Sequence, residues 1–136
     1  MRLFTLAEAE RTLPLVRRIV ADLMAEYPRW RAAVSRFELL SAGARADRGE
    51  TADVIASREE VTAAAARIND YLKELEAIGC VFKGFDAGLV DFYTLRDDRP
   101  VFLCWKMGEA RIEHWHELDA GFGGRQRIDA RLTEVG

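Results

Sequence analysis

The chain is short of cysteine, of proline and of long apolar runs, and each shortage removes a class of protein. Cys80 and Cys104 are too few for a disulfide framework and do not form a zinc spacing. The opening MRLFTLAEAE has no apolar stretch of the signal-peptide kind. No run approaches the roughly 20 apolar residues of a membrane span. A cytoplasmic protein with reduced thiols and no membrane partner is therefore expected. Charge of one sign is lacking too. The net charge of −3 gives no basic field, which disfavours nucleic acid as a partner. The glycines match neither a P-loop nor a dinucleotide fingerprint.

What is present is an ordinary globular balance, 49% apolar and 32% charged over 136 residues. One domain spanning 1–136 is expected, with a helical hairpin over about 5–79, a β-meander and Gly-rich loop over about 80–126, and a frayed polar tail over 127–136. Residues 1–48 carry nine Arg against six acids, whereas 49–80 carry three bases against seven acids. Two helices lying side by side would show such complementarity.

Thr5 and Glu8 have the spacing of a capping box at the start of a helix. Apolar positions follow at Leu6, Ala9, Leu13, Val16, Val20, Leu23, Tyr27, Trp30, Val34 and Phe37, in steps alternating three and four. That is the seam of a long helix packed on another helix. Pro14 and Pro28 share the outward face. Pro28 is compatible with a continuous, bent helix, while Pro14 either sits inside it or starts a new one. Ser41–Glu50 lacks periodicity and reads as a loop. A second seam runs through Val54, Ser57, Val61, Ala64, Ile68, Tyr71, Leu75 and Ile78, and Gly79 supplies a helix stop. Each arm would be about 40 Å long. Tyr27 and Trp30 exceed the needs of one hairpin, which points to a homo-oligomer or another partner on the helices.

After Gly79 the period changes to that of strands. Cys80–Lys83, Leu89–Leu95, Val101–Met107 and Arg111–His116 are the candidates, with a turn at Asp97-Asp98 and another at Gly108-Glu109. The fold class predicted is α+β: a long antiparallel helical hairpin with a three- to four-stranded antiparallel β-meander. If both turns have two residues, Asp91 lies opposite Cys104 and Cys104 opposite Glu113. The histidines then share a face with Val90, Phe92, Leu103 and Trp105. One extra residue in either turn reverses this.

Chemistry concentrates in Leu103–Arg125, which holds both histidines, Cys104, two tryptophans and a glycine cluster. On a strand, His114 and His116 would point the same way and could ligate a metal with a nearby carboxylate. The bland reading is that two histidines simply hydrogen-bond or face solvent. Cys104 could act as a nucleophile with His116 as base, though a strand cysteine more often packs as a small hydrophobe. Gly108 and His-x-His also suggest the first cupin motif, but the next Glu is absent and the strands are too few.

Phe4-Thr5 with Glu8-Ala9 and Leu13-Pro14-Leu15-Val16, Gly88–Phe92, Leu103–Lys106 with Gly108-Glu109, and Trp115–Asp119 with Gly121, Phe122 and Arg125 together resemble the DUF2203 family. The resemblance runs from Phe4 to about Gln126. It implies a small bacterial protein without an assigned activity, so no catalytic residue carries over. Its motif contains Trp115-His116 and not a His-x-His pair, which moves the emphasis from His114 to His116.

The expected function is a divalent-metal or small anionic ligand site on the C-terminal sheet and loop. His116, Asp119 and Glu109 are its metal ligands, and Asp91, Lys106, Trp115 and Arg125 hold the ligand. Metal-assisted hydrolysis is the least specific reaction to expect. The alternative is a non-catalytic interaction module built on the hairpin.

Overall fold

Residues 1–46 and 50–129 are described by a computed structural model. Helix α1 spans Leu6–Ala46 and α2 spans Ala52–Ile78. Strands β1 (Val81–Gly84), β2 (Leu89–Arg96), β3 (Arg99–Lys106), β4 (His114–His116) and β5 (Gln126–Arg127) follow, with a 3₁₀ turn at Phe122–Gly124. The fold is α+β: a helical hairpin beside one antiparallel sheet in the order β1-β2-β3-β4-β5. No helix among the described residues is long and apolar enough to cross a membrane.

The helix ends follow the sequence signals. Thr5 N–H donates to Glu8 Oε1 (2.8 Å), and Glu8 N–H donates back to Thr5 Oγ1 (3.1 Å), a closed capping box. Gly79 adopts φ 105° and donates its N–H to the Leu75 carbonyl, ending α2. Pro14 and Pro28 both lie inside one continuous α1, on exposed positions. The expected loop over 41–50 is helical as far as Ala46, so α1 has 41 residues and is about 60 Å long. Alanine and arginine there favour helix, and the interior Gly43 costs only about 1 kcal/mol. Residues 47–49 and the tail from 130 lie outside the described residues.

Ala9, Leu13, Val16, Val20 and Leu23 are buried on α1, as are Val54, Ser57, Ala64 and Leu75 on α2. The helices also pair by charge, through Arg36–Glu60 (2.8 Å) and through Arg67 with the buried Glu26 (2.7 Å). Tyr27, surplus to a hairpin on the sequence alone, stacks on Phe85 in the β1–β2 turn at 4.3 Å and on Trp30 at 6.0 Å. That aromatic excess therefore packs within the chain.

Alternation along β2 and β3 divides the sheet into two faces. Val90, Phe92, Leu103 and Trp105 face the helices and join Phe4, Val16, Ile19, Val20, Leu23 and Leu75 in the core. Asp91, Tyr93, Phe102 and Cys104 occupy the other face. The β2–β3 turn is a two-residue Asp97-Asp98 turn with φ of 52° and 61°, so Asp91 does lie opposite Cys104. A left-handed aspartate is strained where glycine is not. Asp98→Gly is expected to stabilise the chain by about 0.5–1 kcal/mol, read as a raised urea midpoint at unchanged m.

The β3–β4 connection differs from the two-residue turn expected. It runs over seven residues, 107–113, because the segment is built inward. The buried Ile112 joins the core, the Trp105 indole N–H donates to the Glu109 carbonyl (2.9 Å), and Arg17 donates to the Ala110 carbonyl (3.2 Å). Cys104 consequently pairs with His114, not Glu113, and Phe102 with His116. This one-residue shift places both histidines on the face of Asp91 and Cys104, opposite to Val90 and Leu103.

Candidate functional site

Although it faces away from the helices, the centre of that second face is buried. Asp91, Cys104 and His116 are 2%, 1% and 4% exposed. The chain after β4 folds back over them, and Leu118, Ala120, Gly121 and Phe122 roof a pocket of about 210 Å³. Lys83 on β1 and Leu89 at the start of β2 complete its walls.

Three donor atoms meet at the floor. His116 Nε2 lies 3.1 Å from both oxygens of Asp91, and the Cys104 thiol completes a group whose ligand atoms all fall within 4.8 Å of one another. The other imidazole nitrogen, Nδ1, lies 2.8 Å from the Glu117 carbonyl. A carbonyl only accepts, so Nδ1 carries the hydrogen and Nε2 presents its lone pair to the carboxylate in the neutral ring. Two acceptors facing each other at 3.1 Å require a cation between them, either a proton or a metal ion.

Burial acts on each group. It pushes the Asp91 carboxyl up, against the pull of the neighbouring His116. It also pushes the Cys104 thiol up, to about 12, and the adjacent Asp91 carboxylate adds to this. The thiol is thus protonated near neutrality and donates to Asp91. The thiol bonds to Asp91 and the His116 Nε2 faces the same carboxylate, so the geometry does not make Cys104 a nucleophile activated by His116.

A second cluster stands beside the pocket and braces it. Arg125, just after the 3₁₀ turn, donates to both oxygens of Glu109 (2.7 and 2.9 Å) and to the Cys104 carbonyl (3.2 Å). Burial pushes the Glu109 carboxyl up, but its bonds from Arg125 and from the Lys106 N–H together outweigh this and hold it below the ordinary range. Phe122 lies against the Arg125 guanidinium (4.8 Å) and the Lys106 ammonium (5.6 Å). The cluster ties the roof to β3. Arg99 and Glu117 form a further ion pair next to His116.

The sequence-predicted residues therefore separate into groups. His116 and Asp91 meet at the floor. Glu109 and Arg125 bond to each other, with His114 Nδ1 3.7 Å from Glu109. Asp119 is exposed. Trp115 lies on the opposite face, paired with Leu103, under the Arg96 guanidinium at 4.3 Å. Lys106 is on the site's face, behind Phe122. The sequence does not single out Lys83, and it offers Cys104 as a nucleophile or a packed hydrophobe but not as a metal ligand. Only the true register of β4 could have revealed the cysteine as a partner of the other two.

Comparison with curated proteins and with solved structures finds no match. Residues 2–128 match the family described as "Uncharacterized conserved protein (DUF2203)", a stretch that includes the pocket floor, its roof and the Glu109–Arg125 brace. The chain belongs to the DUF2203 family.

Proposed function

We propose that Asp91, Cys104 and His116 form a divalent transition-metal centre whose open coordination position faces the pocket. The observation that carries this reading is the meeting of a carboxylate, a thiol and an imidazole Nε2 in one buried spot, with Nδ1 committed to a backbone carbonyl. Donation of the second ring nitrogen to a carbonyl is how ligating histidines are oriented. Tetrahedral ligation at the usual bond lengths separates donor atoms by about 3.3–3.7 Å, so only small side-chain shifts are needed. In this reading His116 stays a ligand, Asp91 becomes one, and Cys104 takes the place expected of Glu109 and Asp119.

Charge favours a divalent ion. Without metal, the site holds a thiol proton and the proton shared by Asp91 and His116. Replacing both protons by one M²⁺ leaves thiolate, carboxylate and neutral imidazole around the ion. The buried charge is then unchanged, whereas a monovalent or trivalent ion would leave a net charge in a low-dielectric site. Mixed N, O and S donors suit zinc or another ion of borderline softness. Three protein ligands leave a position for water or a small molecule, the arrangement of catalytic centres. Lewis-acid activation of a bound water or ligand is the chemistry this geometry serves best.

The test is metal binding by tag-free protein. One Zn(II) per chain is expected, with both protons released on binding and affinity rising as pH rises. Co(II) in place of zinc should give a thiolate-to-metal charge-transfer band that Cys104→Ala removes. Stoichiometry far below one, or a Co(II) complex without that band, would overturn the reading.

A further inference from the structure

Building on the metal reading above, we propose that the pocket takes a short-chain organic carboxylate, its anionic end between the metal's open position and Lys83 and its tail against Leu118 and Phe122.

The charge balance indicates where anion attraction must come from. A divalent ion held by thiolate and carboxylate is neutral overall, so the centre has a vacant coordination site but no net field. Lys83 supplies the field. It lines the pocket from β1, and its ammonium lies 5.2 Å from the Phe102 ring centroid on the site's face. The other cations near the site are differently placed. Arg125 is engaged by Glu109, and Lys106, on the far side of the Phe122 contact, does not line the pocket. A cation at the wall that makes no ion pair among the described residues and one vacant metal position match a group with a single negative charge and two oxygens.

The remaining walls set the rest of the ligand. Leu89, Leu118 and Phe122 are apolar, and Leu118 and Phe122 are still 46% and 45% exposed at the rim. An aliphatic tail would cover surface that the chain alone leaves wet. The volume of about 210 Å³ equals roughly seven waters at their share of the liquid, so only a handful of non-hydrogen atoms fit inside.

The experiment uses the Co(II)-loaded protein titrated with butyrate, acetate and n-butylamine, read by the visible Co(II) spectrum. Butyrate should shift the spectrum and bind about tenfold more tightly than acetate, as two added methylenes in an apolar site imply, while butylamine should leave the spectrum unmoved. Lys83→Gln should keep full Co(II) stoichiometry yet weaken butyrate at least fivefold. Leu118→Ala, outside the Glu109–Arg125 brace, should keep Co(II) and reduce the preference for butyrate over acetate. A spectrum indifferent to butyrate, an equal response to butylamine, or unchanged butyrate affinity in Lys83→Gln would overturn this proposal alone. Failure to bind Co(II) at all would overturn the metal reading and this proposal together.

Discussion

Replacing His116 by alanine is expected to lower Zn(II) affinity by more than about 100-fold, beyond the range for groups that merely support a ligand. The imidazole is one of three ligands, and the only neutral one, so its loss leaves an ion held by Asp91 and Cys104 alone. The comparison set is as informative as the variant. Asp119→Asn should bind zinc like the parent, because that carboxylate is exposed and apart from the floor. Glu109→Gln should weaken binding modestly, because it removes the charge that holds Arg125 and the roof. Calorimetric titration of the variants in parallel checks the order, with far-ultraviolet circular dichroism to confirm that each folds. Equal losses in His116→Ala and Asp119→Asn would place the ion elsewhere.

Much of the fold was legible because helices and tight turns advertise themselves locally. The capping box at Thr5, the stop at Gly79 and the two seams depend on residues three or four apart. The β2–β3 pairing was legible for the same reason, since two polar residues between two strands fix the register. The β3–β4 register was not. It depends on how 107–113 is held, and the contacts that hold it come from Arg17 on α1, from the Trp105 indole and from the core around Ile112. None of these is adjacent in sequence to the turn. A shift of one residue was enough to exchange the faces, turning a reading of His116 with Glu109 and Asp119 into a floor of His116 with Asp91 and Cys104. Lys83 was missed for a similar reason: its relevance comes from β1 lying beside β2, not from its neighbours in the chain. Glu109 and Arg125 show the converse. Both carry the family's motif, and their mutual bonds form a brace beside the pocket.

Trp105→Ala is expected to destabilise the chain by about 3–5 kcal/mol, the range for emptying a buried aromatic site. Trp105 is fully buried, pairs across the sheet with Val90, and sits in the core between the sheet and α1. Its indole N–H is the donor to the Glu109 carbonyl, and the Arg17 guanidinium lies 5.8 Å from the ring centroid. Truncation therefore leaves a cavity, a carbonyl with only the longer bond from Arg17 (3.5 Å) and a cation without its aromatic partner. Trp105→Phe separates these effects. It keeps most of the apolar contact while leaving the carbonyl only the 3.5 Å bond from Arg17, and should cost about 1–2 kcal/mol. Trp30→Ala is the contrasting case, because that ring is half-buried and stacks on one face of Tyr27, whose other partner Phe85 remains. It should cost less than Trp105→Ala. Urea unfolding of the three variants measures all of this, and the Trp105 variants also report on the pocket. The indole is the shortest bond to the Glu109 carbonyl and Arg125 holds its carboxylate, so losing the indole slackens the roof's anchor. Zinc affinity in Trp105→Phe should fall further than in Trp30→Ala. If the two lose equal affinity, the brace does not position the site.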